Sequence, residues 1–387
     1  MKAEQYISII AGISTGILTG IIPGLHINTV SQGVLSLEPR DTISAIYFLV
    51  AMSLTHTIFD FIPGIFIGVP DEDTNSVILP AHRLVMRGMA YDAFYLTVIG
   101  SIFSIVLSLI LFPIIFPFII FFNKNKSIIP VIIFLILIFL IASEKKTSIG
   151  LLVTVLSGSL GYIVLSRRYS LFPMLTGFFG LSSIIYSLKS DAEIGDQNEE
   201  LSIKLDLCSL IKSSIYGTLA GGFVGILPGL SSSQAGYLIG RFSGKNVFSI
   251  LVSTGAINTS NFIYNIFIYF ISGKTRSGVI VALKKLGLPY DQLLKILSII
   301  FLTAGLSGII SLLGFRIIMG IFMRISYKNI LYAIGISVIA TTFIFTGYIG
   351  LFILSLSTSI GLICLSCGVK KSLCMSCIMI PVAITML

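Results

Sequence analysis

Five stretches of this sequence, each at least 28 residues long, contain no Asp, Glu, Lys or Arg: residues 5–37, 93–123, 213–240, 246–273 and 329–369. A helix needs about 20 apolar residues to cross roughly 30 Å of hydrocarbon. Only 11% of the residues are charged and 55% are apolar, whereas soluble domains carry about 25% charged residues. The sequence therefore predicts an all-α polytopic protein that crosses the cell membrane several times and contacts the lipid bilayer.

Charged or Pro/Gly-rich breaks divide the chain into about twelve apolar segments, each expected to be a transmembrane or re-entrant helix. They cover residues 7–37, 42–69, 93–122, 127–143, 147–166, 171–188, 209–240, 246–272, 293–323, 329–346, 349–367 and 372–387. The net charge is +9, but the Lys and Arg residues are spread over the connecting loops and form no basic run. We therefore expect no nucleic-acid partner.

The two halves of the sequence repeat each other at a constant offset of 205 positions. Gly12, Gly16, Gly20, Ile21, Pro23, Gly24 and Leu25 recur as Gly217, Gly221, Gly225, Ile226, Pro228, Gly229 and Leu230. Farther along, His56 and Asp60 correspond to Asn261 and Asn265. After a shortening of six residues in the second copy, the pentapeptide starting at Gly88 corresponds to the one starting at Gly287.

This duplication predicts a first membrane repeat over 1–188, a solvated polar linker over 189–206 and a second membrane repeat over 207–387. Duplicated halves with broken helices at corresponding positions are typical of secondary transporters, whose site lies between the repeats near mid-membrane. The Lys and Arg residues do not favour one membrane orientation, and parallel or inverted repeats are both compatible with the segment count.

A substrate site is expected where the two Pro-Gly breaks meet. A break at membrane depth is tolerated only where it lines a cavity or is buried in protein, and a half-helix that starts after it directs N–H groups at an anion. The simpler interpretation is close helix packing with a proline kink. The predicted substrate-binding residues are Pro23, Gly24, His26, Asn28, Pro228, Gly229, Ser231, Ser232 and Ser233.

Asp60 lies inside an apolar segment four residues after His56, so both side chains share one helix face. An ionisable residue within a membrane helix is costly and indicates function; the alternative places Asp60 near the membrane surface. Asn258, Asn261 and Asn265 lie on the corresponding segment of the second half. We predict that these five residues couple transport to H⁺ or Na⁺.

Two further groups of residues suggest weaker hypotheses. Arg83 and Arg87, and their counterparts near Lys274 and Arg276, could attract an anion, although juxtamembrane cations are ordinary. Cys364, Cys367, Cys374 and Cys377 have zinc-like spacing, but both pairs extend into apolar helices, where they could equally be packing residues. The three histidines are dispersed, and no nucleotide-binding or nucleophile motif occurs, so we expect no enzyme, no cofactor and no metal.

Several motifs together resemble a known family. GIIPGLHIN, PGIFIGVPDEDT, LVMRGMAYDAF, GILPGLSSS and the closing GVKKSLCMSCIMIPV are similar to TctA-like permeases, the large membrane subunit of tripartite tricarboxylate transporters, in their shorter archaeal-type branch. The resemblance implies a permease that uses an ion gradient to import a small carboxylate. It also implies help from a small membrane subunit and an extracytoplasmic binding protein.

The sequence therefore predicts a secondary active transporter that moves a small organic anion, a di- or tricarboxylate, with an H⁺ or Na⁺ gradient. Two other functions stay open at this point. A flippase for a polyprenyl phosphate or another lipid carrier would use the same helix starts for a phosphate. A metal-dependent membrane protein would use the C-terminal cysteines.

Overall fold

A computed structural model of the chain describes residues 2–22, 27–68, 78–166, 170–189, 195–198, 200–203, 206–242, 246–324 and 326–387. Within these ranges the regular structure is entirely helical. This confirms the predicted all-α membrane architecture.

The helices of the first half are α1 (Ala3–Ile21), α2 (Ile27–Ser36), α3 (Thr42–Phe59), α4 (Phe61–Ile67), α5 (Ile78–Val85), α6 (Ala90–Ile110), α7 (Phe112–Lys124), α8 (Ile128–Ala142), α9 (Thr147–Val164), α10 (Leu171–Leu175) and α11 (Ser182–Ser187). A π-helical turn (Thr176–Leu181) joins α10 to α11. The helices of the second half are α12 (Leu207–Ile226), α13 (Ser232–Phe242), α14 (Val247–Ser272), α15 (Gly278–Lys285), α16 (Leu293–Arg324), α17 (Tyr327–Cys367) and α18 (Ser376–Met386).

The described residues form fewer simple spans than the twelve predicted segments. Six helices are long and apolar enough to cross a membrane, or seven if α7 and α8, which are bent by 111° at their junction, count as one span. The six include α12, which precedes the second Pro-Gly break, but not α1, which precedes the first; α14, which is rich in Ser, Thr and Asn, is also not among them. Within α17, Gly347 has non-helical backbone angles. This interruption lies between the predicted segments 329–346 and 349–367.

The glycines before each Pro-Gly break bring two helix backbones into direct contact. A Cβ atom built on Gly12 would lie 2.5 Å from Phe48 O, and one built on Gly16 would lie 2.5 Å from Met52 O, both on α3. In the second half, a Cβ on Gly217 would lie 2.4 Å from Ser253 O. This close approach is what glycine at every fourth position predicts.

These contacts fix the direction of the chain around each break. Successive glycines of α1 meet successively later residues of α3, and the same holds for α12 and α14. Each pair therefore runs parallel, so the chain has to return between the two helices. In the second half α13 makes this return, and its Ala235 packs in one apolar cluster with Val224 of α12. The broken segments are thus helical hairpins rather than kinked spans.

The long helices that follow the hairpins begin and end at residues related by the 205-position offset. Asp41 caps the start of α3 by accepting from the N–H of Ile43 and Ser44, and Asn246 caps α14 by accepting from Phe248 N–H. At the other end, Gly68 follows α4 and Gly273 follows α14, both with φ of 66°. The division into two repeats stays a prediction, but these two helices have equivalent caps.

The polar linker is not fully solvated, which corrects the expectation for residues 189–206. Gln197 is buried; its side-chain amide donates to Val85 O at 2.9 Å and its oxygen accepts from Ala90 N–H at 3.1 Å. The N–H groups of Ser202 and Ile203 donate to the Asp92 carboxylate. The described part of the linker is therefore held against the junction of α5 and α6.

The two halves interlock where small residues let helices cross. A Cβ on Gly100 of α6 would lie 2.1 Å from Val252 O of α14, and a Cβ on Gly255 would lie 2.1 Å from Thr97 O. The Ser101 hydroxyl donates to Gly255 O at 3.1 Å. This crossing joins the first half to the second and positions the polar residues one turn farther along α14.

Candidate functional site

A buried acid and a buried amide from opposite halves of the sequence are hydrogen-bonded to each other. Asp60 and Asn258 are 7% and 4% exposed, and Asn258 Nδ2 donates to Asp60 Oδ2 at 2.7 Å. The same amide reaches Thr57 O at 3.3 Å. Asp60 is the residue that joins α3 to α4, and Pro63 cannot donate the helical hydrogen bond to Phe59 O. The carboxylate therefore sits at a distorted point of its helix.

Two hydroxyls extend this contact between the halves. Thr57 Oγ1 lies 3.1 Å from Thr259 Oγ1. The Thr57 hydroxyl donates its proton to Leu54 O, so the Thr259 hydroxyl is the donor across the interface. Sequence reasoning missed these threonines, because Thr is common in membrane helices and only the crossing of α3 and α14 brings the two together.

His56 is bonded to the hairpin of its own half. Its Nδ1 lies 3.1 Å from Thr19 Oγ1 on α1, and the Thr19 hydroxyl donates to Gly16 O. Since a hydroxyl has one proton, Thr19 accepts from the histidine, which places a proton on Nδ1. His56 therefore links α3 to α1, the helix that precedes the first Pro-Gly break.

The other two asparagines form a separate pair. Asn265 Nδ2 donates to Asn261 Oδ1 at 3.1 Å, and a Cβ on Gly225 would lie 3.4 Å from Asn265 Oδ1. The five predicted ion-coupling residues are thus brought into one region but into different hydrogen-bonded groups. Asn258 is the asparagine that meets the acid, although the repeat alignment pairs Asp60 with Asn265.

The second Pro-Gly break is well described and buried. Ser231 caps α13: its hydroxyl accepts from Gln234 N–H at 3.3 Å, and Gln234 Oε1 accepts from Ser231 N–H at 3.1 Å, which is a capping box. Gln234 Nε2 in turn donates to Ser372 O at 3.1 Å. Ser232 and Ser233 are 0% and 1% exposed. Within the described residues Ser233 Oγ has no hydrogen-bond partner.

Gly229 is expected to be more sensitive to substitution than a glycine of the same conformation elsewhere. Gly229 has φ of 82° and Gly287 has φ of 76°; left-handed backbone costs a non-glycine residue about 1–2 kcal/mol. A Cβ on Gly229 would also lie 3.1 Å from Met379 Cα, whereas one on Gly287 would meet nothing within 4 Å. We expect Gly229→Ala to lower the melting temperature clearly more than Gly287→Ala. Equal shifts in thermal unfolding of the purified variants would contradict the packing of α18 against this break.

The first break lies largely outside the described residues, which leaves Pro23, Gly24 and His26 as predictions. Asn28 is the second residue of α2 and is half-buried. A Cβ on Gly278, the first residue of α15, would lie 2.5 Å from Asn28 Oδ1. The start of the first return helix, α2, is therefore in contact with the start of α15 in the second half.

The C-terminal cysteines do not gather into a metal site within the described part of the chain. Cys364 Sγ and Cys374 Sγ are 3.5 Å apart, but no group of three or more Cys, His, Asp or Glu that could hold a metal ion is found among the described residues. Cys374 and Cys377 are fully buried. Beside them, the buried Lys371 donates to Phe179 O at 2.9 Å, in the π-helical turn.

Comparison with known proteins identifies the family. The sequence model of the Tripartite tricarboxylate transporter TctA family matches residues 7–376. The chain belongs to the TctA family. An uncharacterized protein of Methanocaldococcus jannaschii is 30% identical over 289 residues, which is 72% of each chain. No solved structure matches.

Membership of the TctA family agrees with the helical, multi-pass architecture and makes the chain a membrane component of a transporter family. A transporter family is also consistent with the expectation that the chain is not an enzyme. In this TctA-family protein Asp60, His56 and Asn28 lie in the first half of the sequence, and Asn258 and the serine-rich start of α13 lie in the second.

Proposed function

We propose that this TctA-family protein is a secondary active permease that moves a di- or tricarboxylate with an H⁺ or Na⁺ gradient. The observation that carries the proposal is the 2.7 Å hydrogen bond between Asn258 Nδ2 and Asp60 Oδ2. This bond joins an acid buried in an apolar helix to a residue of the other half of the sequence. Ionisable groups in such positions are typical of proton relays and ion-binding sites.

Binding of H⁺ or Na⁺ to the Asp60 carboxylate is expected to control the contact between the halves. An ionised carboxylate accepts hydrogen bonds, and the Asn258 amide N–H₂ donates one. When H⁺ binds to this oxygen it becomes a donor, so that the amide group has to turn or move away. A Na⁺ ion at the same oxygen would compete for the same lone pairs. Ion binding therefore favours a different arrangement of α3 and α14, which is what gradient coupling requires.

The substrate anion is proposed to bind between the hairpins. The first turn of α13 offers backbone N–H groups and a positive dipole end, and the buried hydroxyls of Ser232 and Ser233 lie in that turn. Ser231 caps the helix by accepting from Gln234 N–H, which leaves its hydroxyl proton to donate to the anion. Asn28 is proposed to complete the site from the first half, together with Pro23, Gly24 and His26.

The family name describes a three-component transporter. We propose that this chain works with a small membrane subunit and an extracytoplasmic binding protein. The permease itself contains the ion-coupling acid and the substrate hairpins, so exchange of substrate across the membrane is expected to need this chain alone.

Reconstitution in liposomes tests the proposal. We expect uptake of labelled citrate or succinate when a Na⁺ or H⁺ gradient is imposed, and collapse of uptake when an ionophore dissipates that gradient. Counterflow with carboxylate inside the vesicles measures exchange without a gradient. If folded protein supports neither uptake nor counterflow of any di- or tricarboxylate, with and without the partner subunits, the proposed function is wrong.

Ser233 provides a test of the substrate site. Ser233→Ala removes a buried hydroxyl that has no partner in the described protein, so we expect the melting temperature to change little and the KM for citrate to rise about tenfold, the loss of one hydrogen bond to a charged group. Ser214→Ala is the matched control, because Ser214 is also fully buried without a hydroxyl partner but lies on α12, far before the break. A KM that rises equally in both variants would remove Ser233 from the site.

A further inference from the structure

A loop of the second half contains two cations and lies next to the start of α2, the return helix of the first hairpin. This loop, residues 273–277, connects α14 to α15 and contains Lys274 and Arg276. Gly278, which follows it directly, is packed so closely against Asn28 that a Cβ would come within 2.5 Å of the amide oxygen. Arg276 therefore lies two residues from a contact with the start of the return helix α2.

Both cations, Lys274 and Arg276, are partly buried. Arg276 is half-buried, and its Nε is enclosed and has no hydrogen-bond partner within the described residues. Burial lowers the pKa of Arg276, and it lowers the pKa of Lys274, which the charges of Arg276 and Lys126 lower further. Within the described residues no carboxylate forms an ion pair with Arg276 or Lys274. An enclosed cation that lacks a partner is costly and is retained where something else supplies the negative charge.

Among the described residues, Arg276 differs from two other cations that do have partners. Lys370 forms an ion pair with Glu144 at 3.0 Å. Lys284 donates to Gly273 O at 3.1 Å, so the C-terminal end of α14 already has a cation on its carbonyl. Arg83 and Arg87, the arginines of the corresponding region in the first half, are exposed to solvent.

We infer that Arg276 binds a carboxylate group of the transported anion, with Lys274 adding positive charge beside it. The inference rests on the proposed function and identifies a specificity-determining residue of its substrate site. Arginine suits this role because its planar guanidinium can hold a carboxylate through two parallel N–H···O bonds, whereas lysine offers a single point charge. The site selects for anions because a bound carboxylate would supply the partner that the enclosed Arg276 Nε lacks within the described residues.

Thermal unfolding separates this role from a structural one. Without ligand, Arg276→Gln is expected to melt at the same temperature as the unsubstituted protein or higher, because the variant no longer encloses an unpaired charge. Citrate at millimolar concentration should raise the melting temperature of the unsubstituted protein and of Arg40→Gln, which replaces an exposed arginine between α2 and α3. Citrate should not change the melting temperature of Arg276→Gln. A structural arginine would instead give a lower melting temperature and an unchanged response to citrate.

Uptake in liposomes gives the second readout. We expect the uptake rate at low citrate concentration to fall at least 100-fold in Arg276→Gln and about tenfold in Arg276→Lys, which keeps the charge but loses the bidentate geometry. Uptake that is normal in Arg276→Gln would overturn the inference and leave the proposed function intact. Both the inference and the proposed function are wrong if citrate, succinate and tricarballylate do not raise the melting temperature of the unsubstituted protein and are not taken up into liposomes that contain it.

Discussion

Replacing Asp60 by asparagine is expected to reduce gradient-driven carboxylate uptake at least 100-fold while leaving counterflow exchange partly intact. The substitution keeps the shape of the side chain and an oxygen that can accept from Asn258 Nδ2, so the 2.7 Å contact across the halves is preserved. It removes the only group of this contact that can take up H⁺ or carry a negative charge for Na⁺. Uptake in liposomes with and without an imposed gradient measures the difference.

Two comparison variants make this test specific. Asp291→Asn makes the same chemical change at an exposed acid in the turn before α16, and we expect normal uptake. Asn258→Ala leaves the buried Asp60 carboxylate without its donor from the second half, which costs about 1–3 kcal/mol, so both uptake and thermal stability should fall. If Asp60→Asn transports like the unsubstituted protein along every gradient, Asp60 is not the coupling residue.

Replacing Gly255 by alanine is expected to disrupt the junction between the halves. The new Cβ would lie 2.1 Å from Thr97 O of α6, and neither backbone can rotate away as a side chain could. Overpacking of a tight interior costs about 1–3 kcal/mol and sometimes more. Asn258 lies one helical turn beyond Gly255, so separating α6 from α14 also displaces the partner of Asp60. We expect a melting temperature lower by many degrees and loss of uptake.

Gly305→Ala is the matched control for this change. Gly305 lies inside α16, and a Cβ there would meet nothing within 4 Å. Alanine at an open helical position stabilises a helix by up to about 1 kcal/mol relative to glycine, so this variant should melt at the same temperature or slightly higher and transport normally. A Gly255→Ala protein as stable as Gly305→Ala would show that α6 and α14 do not touch at this point.

Helix boundaries were predictable because they depend on local properties of the chain. The segment predicted over 147–166 forms α9 over Thr147–Val164, and the one over 246–272 forms α14 over Val247–Ser272. Uncharged length, flanking polar residues and capping groups such as Asn246 determine these ends. The linker was less predictable: its polar composition indicates a solvated segment, but Gln197 finds buried backbone partners on α5 and α6.

Some residues of the candidate site were likewise predictable from the sequence, whereas others depended on tertiary contacts. The repeated motif predicted a substrate site at the two Pro-Gly breaks. The free-energy cost of placing an acid in hydrocarbon predicted a functional role for Asp60. The alignment of the repeats suggested Asn265 as the counterpart of Asp60, yet the residue that bonds to Asp60 is Asn258. Three asparagines on one helix are equivalent in sequence, and only the crossing of α14 with α3 distinguishes them.

The sequence by itself determined that this chain is a duplicated helical membrane protein with broken helices, since apolar length, glycine spacing and repetition can be read along one dimension. The tertiary structure alone decided that each broken segment forms a hairpin, that Asp60 bonds to the opposite half, and that Arg276 Nε is enclosed without a partner among the described residues. These features depend on which helix backbones come together. Contacts between residues about 200 positions apart, such as Asn258 with Asp60, leave no local pattern in the sequence.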